Sequence, residues 1–183
     1  MDQTTRANLD QLWSADRALQ NRAFESILAA TEHPVDWAYQ AWDEVVANLG
    51  HPDNHNRAIA AQVLCNLARS NPERRIRRDF PALLNVTRDE RFVTARHCMQ
   101  ALWKVGAAGS EQQALLVAGL TARFDECRTE KNCTLIRYDI LQSLRNVYDA
   151  VQDERIKARA LELIARETDE KYRKKYNTLW KNV

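Results

Sequence analysis

Apolar residues recur along most of the chain at the spacing of three to four residues that an amphipathic helix requires. Short polar interruptions rich in Gly, Pro, Asn and Asp break this pattern. The segments between them are about 14 to 18 residues long, which suits helices of three to five turns. The pattern therefore predicts an all-α protein, with breaks at residues 32–34, 50–54, 70–72, 87–90, 106–110, 127–133 and 149–154.

The predicted helices also repeat in pairs. The segment "NRAFESILAA" resembles "NRAIAAQVLCNLA", and segments starting at Asp89 and Leu135 have the same shape. Another amphipathic helix precedes each of the last three of these four segments. One such pair cannot bury its apolar stripe alone, so neighbouring pairs are expected to stack into a continuous core. The leucines that align as inward-facing are Leu28, Leu64, Leu102 and Leu144.

Two stretches carry a family resemblance. "HPDNHNRAIAAQVLCNLA" and "FPALLNVTRDERFVTARHCMQALWKVG" resemble the HEAT-repeat family, in which Pro81 matches the proline that commonly kinks a first helix. The resemblance covers residues 16–150. His51 replaces the usual Asp and Ala95 replaces the usual Arg, which predicts a weaker polar ladder between repeats.

The resemblance implies a right-handed α-α superhelix, a solenoid of about five stacked helix pairs. It predicts a single HEAT-like repeat domain over residues 1–183. Residues 1–15 and 153–183 would then serve as capping helices, the second with a charged outer face.

Composition narrows the function classes. Gly and Pro number 4 each, too few turn residues for a sheet protein of 183 residues. The formal net charge of +2 is too small to indicate nucleic-acid binding by itself. No apolar run reaches the roughly 18 residues of a membrane span, and the first residues lack the pattern of a secretory signal. We therefore expect a cytoplasmic protein with no membrane partner.

The 4 cysteines form no CxxC pair. Cys65 and Cys98 lie within helical patterns, where a free thiol behaves as a small hydrophobic group. Cys127 and Cys133 bracket "CRTEKNC" and could close a small loop, although a reduced pair is the expected state in the cytoplasm.

Candidate catalytic and metal-binding residues are few. His51, Asp53 and His55 could supply three metal ligands, but the alternative is a turn in which Asp53 or Asn54 caps the next helix, and we favour the turn. His97 adjoins Cys98, yet neighbouring helical residues point about 100° apart, so we predict a buried or half-buried structural histidine. No hydrolase, phosphate-loop or metalloprotease motif is present. The sequence thus predicts no enzyme, no cofactor and no metal.

The strongest functional candidate is one face of the second helices, because these helices line the concave surface of a helix-pair solenoid. It combines arginines with Trp103 and Tyr138, the residue types enriched at binding hot spots. Alternatively, the two aromatic side chains pack between repeats. The binding interpretation predicts a protein-binding scaffold for an acidic or mixed peptide, with the face formed by Gln62, Arg69, Arg96, Gln100, Trp103, Lys104, Tyr138, Gln142 and Arg145.

Nucleic-acid binding is the alternative function. Residues 69–79 and 166–181 each carry a net charge of +3 (five or six basic side chains against two or three acidic ones), although such runs are usually solvated helix faces. The chain could resemble the HEAT-like alkylpurine DNA glycosylases, with Asp139 as the carboxylate beside Trp103 and the arginines. A third possibility is a likeness to repeat proteins related to phycobilisome lyases.

Overall fold

The computed structural model describes residues 1–70 and 74–181, and within them every regular element is helical. The all-α prediction is confirmed. Single 3-10 turns follow α3, α4, α5 and α8. The helices are α1 (Gln3–Gln11), α2 (Arg17–Ala30), α3 (Ala38–Ala47), α4 (Asn54–Leu67), α5 (Arg75–Asn85), α6 (Phe92–Ala101), α7 (Trp103–Gly106), α8 (Ser110–Glu126), α9 (Cys133–Val151), α10 (Glu154–Ala165) and α11 (Glu170–Leu179).

Aspartate side chains begin many of these helices. At each, a carboxylate oxygen accepts a hydrogen bond from a backbone N–H two or three residues later, which satisfies a donor that the first helical turn leaves unpaired. The positions of these helix starts are therefore encoded locally, by Asp2, Asp16, Asp53, Asp153 and Asp169.

The chain forms two compact units, residues 1–101 and residues 102–183. The single domain over residues 1–183 stays a prediction. None of the helices in the described ranges is long and apolar enough to cross a membrane.

In the first unit, helices pack in the order of the chain. α1 packs on α2, α2 on α4, and α4 on α6, while α3 contacts both α4 and α5. Trp42 of α3 is fully buried, and its indole N–H donates to a carboxylate oxygen of Asp79 on α5 at 2.8 Å. Pro81 lies inside α5 with an exposed side chain. The core of this unit thus lies between α3 and α5 on one side and α2, α4 and α6 on the other.

Polar bonds also join successive helices of the first unit. Arg57 on α4 binds the carboxylate of Asp89 through two hydrogen bonds of 2.5 and 2.9 Å, and the side chains of both are largely buried. Arg17 at the start of α2 binds Asp53 at 2.5 Å. Asp53 and Asp89 are thus the acceptors of these bonds, and the weakened polar ladder between repeats stays a prediction.

The predicted core positions are confirmed with one exception. Leu64, Leu102 and Leu144 are fully buried, but Leu28 is half-buried and its neighbour Ile27 is 1% exposed. The helix starts explain this shift. Asp16 and Asp53 cap their helices 37 residues apart, whereas the recurring tripeptide "NRA" is 35 residues apart and does not mark equivalent positions. Other buried residues of these helices are Ile59, Ala60, Val63, Leu67, Cys98, Ala101, Val105, Ile140 and Val147.

In the second unit, α9 packs on α7, α8, α10 and α11. Gly106 allows this close packing, because a Cβ at that position would lie 2.6 Å from the Leu116 side chain. Arg123, which is 1% exposed, binds Glu130 through two hydrogen bonds of 2.5 and 2.7 Å. Arg137 of α9 binds Glu167, just before α11, at 2.8 Å, with both side chains buried.

Candidate functional site

A groove of about 510 Å³ crosses three helices of the first unit, α2, α4 and α6. Its residues follow helical spacing, so each helix contributes one stripe to the wall. On α4 the stripe runs from His55 through Ala58 and Ile59 to Gln62. The groove is lined by Arg17, Gln20, Asn21, Phe24, Asn54, His55, Ala58, Ile59, Gln62, Val93, Thr94 and His97.

The groove has apolar walls and a polar rim. Val93 on α6 is 64% exposed, more than any other large hydrophobic side chain in the described part of the chain. Phe24 on α2 is half-buried, and Ile59 between them is 7% exposed. Imidazoles of His55 and His97 are exposed beside this apolar strip. The arrangement can hold an apolar side chain while the rim offers hydrogen-bonding groups.

The groove carries little free charge. Among its described lining residues, Arg17 alone carries a fixed charge, and its guanidinium donates to Asp53 at 2.5 Å and to Gln20 at 2.7 Å. The hydroxyl of Thr94 donates to the Asn54 carbonyl at 3.2 Å. A partner recognised here would therefore be recognised by shape, apolar contact and neutral hydrogen bonds.

Of the four predicted site residues of the first unit, one lines the groove and three do not. Gln62 lines the groove, half-buried, with its amide N–H donating to the Ala58 carbonyl at 3.0 Å. Arg69 is exposed just after α4 and donates to the Glu32 carbonyl at 2.8 Å. Arg96 is half-buried and Gln100 exposed on α6, and neither is among the residues that line the groove.

The five predicted site residues of the second unit are all half-buried. Trp103 and Lys104 lie on α7. The Lys175 ammonium lies 4.7 Å above the Tyr138 ring, and Gln142 donates to an oxygen of Asn146, one turn further along α9.

Arg145 is used within the second unit. Its guanidinium donates to Asp149 at 2.8 Å and to the Leu179 carbonyl, the end of α11, at 2.7 Å. The same group lies 5.9 Å from the centre of the Trp180 ring. None of the nine predicted residues is buried, and their role as a binding face stays a prediction.

The turn at His51 is a helix start. Asp53 is the N-cap of α4, since its carboxylate accepts from the His55 backbone N–H at 2.8 Å, and Nδ1 of His51 accepts from the Asp53 backbone N–H at 2.9 Å. The predicted cap is confirmed. Over residues 1–70 and 74–181, no group of three or more His, Cys, Asp and Glu side chains is placed to hold a metal ion.

Two candidate residues of the sequence differ in exposure. Asp139 is 2% exposed and faces the interior of the second unit, and its assignment as the carboxylate of a DNA-binding face stays a prediction. The prediction of a buried or half-buried His97 is wrong. His97 is exposed rather than buried, since it lies on the groove side of α6 while Cys98 faces the core.

The two basic runs are partly neutralised by ion pairs. Arg75 and Arg78 both approach Asp43, at 3.6 and 3.5 Å, and residues 71–73 of that run lie outside the described chain. In the second run, Arg166 binds Asp125 and Glu162, at 2.8 and 2.5 Å. These pairs reduce the charge that either run offers to phosphate groups.

Sequence reasoning missed most of the residues that line the groove, above all Phe24, Val93 and His97. Their signal is an apolar or imidazole side chain that lies outside the core stripe of α2 or α6. For Phe24 the recurring "NRA" masked that signal, because it aligned Phe24 with the buried Ile59.

Comparisons with known proteins define the fold and no more. No protein-family model matches the chain, and no curated protein matches it. The crystal structure of an engineered protein is similar, with a TM-score of 0.57 and 16% sequence identity, over 98% of this chain and 78% of that protein. At that identity the likeness concerns the fold alone.

Proposed function

We propose that the chain is a non-enzymatic, protein-binding scaffold of HEAT-like helix pairs, and that the groove across α2, α4 and α6 docks a segment of a partner protein. The observation that carries the proposal is the exposed apolar strip at Val93 within a groove whose rim is rich in amide and imidazole groups. Stacked helix pairs offer a broad, preorganised surface of this kind.

The packing of the first unit supports the solenoid arrangement. α2, α4 and α6 follow one another as the second helices of successive pairs would, and their N-terminal halves all contribute to the groove. The bonds from Arg17 to Asp53 and from Arg57 to Asp89 tie these helix starts together. A groove held in this way loses little conformational entropy on binding, which favours affinity.

The partner chemistry follows from the lining. Since Arg17 is already bound to Asp53, the groove favours a segment that inserts an aliphatic or aromatic side chain and hydrogen-bonds through neutral groups, rather than an acidic peptide. The same lack of free charge disfavours a nucleic-acid backbone, which is gripped mainly by Lys and Arg.

A peptide-display experiment tests the proposal. A library of linear peptides is selected on the purified chain, and the enriched clones are measured against two variants, Val93→Asp and Leu161→Asp. Val93 lies in the first turn of α6, where an acidic residue suits the helix dipole, so the fold should be retained. Leu161 is 41% exposed on α10, outside the groove, and serves as the matched control.

We expect enriched peptides to share an apolar anchor and to bind Val93→Asp at least about tenfold more weakly, the equivalent of about 1.4 kcal/mol, while Leu161→Asp binds normally. Clones that bind both variants equally would refute the groove assignment. Binding of a DNA duplex at about 50 mM salt, unaffected by Val93→Asp, would instead support the nucleic-acid alternative.

A further inference from the structure

Cys127 and Cys133 bring two thiols together in the second unit. Both are free, and their Sγ atoms lie 3.0 Å apart across the short loop between α8 and α9. A disulfide bond is about 2.0 Å long, so a movement of about 1 Å would join them. Each thiol therefore has the other within reach to form a disulfide.

The two thiols differ in access. Cys127 is fully buried, and its thiol also approaches the Phe124 carbonyl at 3.3 Å. Cys133 is half-buried and lines a pocket of about 430 Å³ whose wall includes Arg128 and Arg166. A small reagent can therefore reach Cys133 from this pocket, whereas Cys127 is reached only through Cys133.

The local electrostatics agree with this division of roles. Burial and the hydrogen bond with Cys133 raise the pKa of the Cys127 thiol to about 12, while the guanidiniums of Arg137 and Arg123 act in the opposite direction. The loop itself is anchored, because Arg123 is buried and binds Glu130 within it. Cys127 is thus held as a protonated thiol beside Cys133 until a reaction at Cys133 makes its attack productive.

We propose that Cys127 and Cys133 form a thiol–disulfide modification site that reacts with a low-molecular-weight disulfide of the glutathione type. The thiolate of Cys133 attacks one sulfur of the reagent, the reagent's S–S bond breaks, and the first reagent thiolate leaves and takes up a proton. Cys127 then attacks Sγ of Cys133 and breaks the mixed disulfide, and its proton passes to the second reagent thiolate, which leaves as a thiol.

The overall reaction balances without a further oxidant. Two cysteine thiols are oxidised to one disulfide between Cys127 and Cys133, and the reagent disulfide is reduced to two thiols. The reaction is reversed by an excess of a reducing dithiol. Cys65 and Cys98 take no part, because both are fully buried on helices of the first unit.

The test uses the full folded chain and oxidised glutathione, with unreacted thiols alkylated before intact-mass and peptide-mass analysis. In the wild type we expect a loss of two hydrogens and a crosslinked peptide that joins Cys127 to Cys133, reversed by dithiothreitol. In Cys127→Ser we expect a stable glutathione adduct on Cys133. In Cys133→Ser we expect neither product, because the three remaining thiols, those of Cys65, Cys98 and Cys127, are all buried.

Cys127→Ala serves as a second variant in case a buried serine hydroxyl perturbs folding, with circular dichroism as the check on both. Oxidation of the wild type should also raise the melting temperature by about 3 to 8 °C, since the new bond constrains the unfolded chain. A wild type that keeps a glutathione adduct without forming the crosslink, or that stays fully reduced when Cys127→Ser is modified, would overturn the proposal. The outcome is independent of the peptide-binding groove, which lies in the first unit.

Discussion

Helices of the two units carry similar side chains but use them differently. In the first unit, the groove face of α4 and α6 leaves Val93 and His97 exposed, while the ion pairs lie at the helix starts. In the second unit, the corresponding face of α9 is used internally, because Arg145 binds the end of α11 and Lys175 covers Tyr138. Arginine and aromatic residues on a helix face therefore do not by themselves identify a binding surface.

The largest difference in the free energy of unfolding is expected between substitutions of Trp42, which is fully buried, and of Trp103, which is half-buried. Trp42→Ala should lower the free energy of unfolding by about 3 to 5 kcal/mol, because it empties a fully buried site and leaves the Asp79 carboxylate without its indole partner. Trp103→Ala, at a half-buried position, should cost about 1 kcal/mol.

Urea denaturation of both variants measures these values. A loss of several kcal/mol in Trp103→Ala would show that Trp103 packs as a core residue and would remove it from the predicted binding face. A small loss in Trp42→Ala would contradict the packing of α3 against α5.

The buried ion pair of the second unit should give the next largest effect. Arg137→Leu should destabilise the protein by about 3 kcal/mol, because Glu167 remains buried without its counter-charge. The double variant Arg137→Leu with Glu167→Leu should recover much of that loss. Thermal or urea unfolding of the three variants completes the double-mutant cycle, and additive losses would show that the two side chains are not coupled.

Arg145 and Gln62 test the difference between the two faces directly. Arg145→Ala should lower the free energy of unfolding by about 1 kcal/mol, because it removes the bonds to Asp149 and Leu179, and should leave peptide capture unchanged. Gln62→Ala should change stability by less than about 0.5 kcal/mol, since its bond lies within its own helix, and should weaken capture. If Arg145→Ala weakened peptide capture and Gln62→Ala did not, the result would contradict the groove assignment and favour a binding face in the second unit.

The smallest effect on stability is expected from protonation of the Asp89 carboxyl in acid. Burial tends to raise the pKa of the Asp89 carboxyl, but hydrogen bonds from Arg57 and the Arg91 backbone outweigh it, so the pKa lies below its ordinary value of 3.8. Such a group stabilises the fold fully above the unfolded pKa, and this contribution is lost as the pH falls below it. Between about pH 4 and pH 2, the free energy of unfolding of the wild type should therefore fall more steeply with decreasing pH than that of Asp89→Asn. Parallel pH profiles would contradict the Arg57–Asp89 assignment.

Several features of the fold could be predicted from the sequence because they depend on local physics. Amphipathic periodicity predicted the all-α class and three of the four inward-facing leucines, and aspartates before several helices are their caps. The alignment of one helix with the next was harder to predict from the sequence. The repeated "NRA" suggested an offset of 35 residues, whereas the caps Asp16 and Asp53 lie 37 residues apart, and Ile27 rather than Leu28 lies in the core.

Periodicity and capping are properties of a few consecutive residues, so the sequence by itself determined the all-α class, many of the breaks between helices and the cap at Asp53. Only the tertiary structure decided which polar side chains already have distant partners. Arg57, Arg137 and Arg145 bind Asp89, Glu167 and the Leu179 carbonyl, which lie 30 to 34 residues further along the chain. The tertiary structure also decided that Val93 is exposed beside a groove and that the thiols of Cys127 and Cys133 meet, since side-chain distances across a loop follow from packing rather than from spacing.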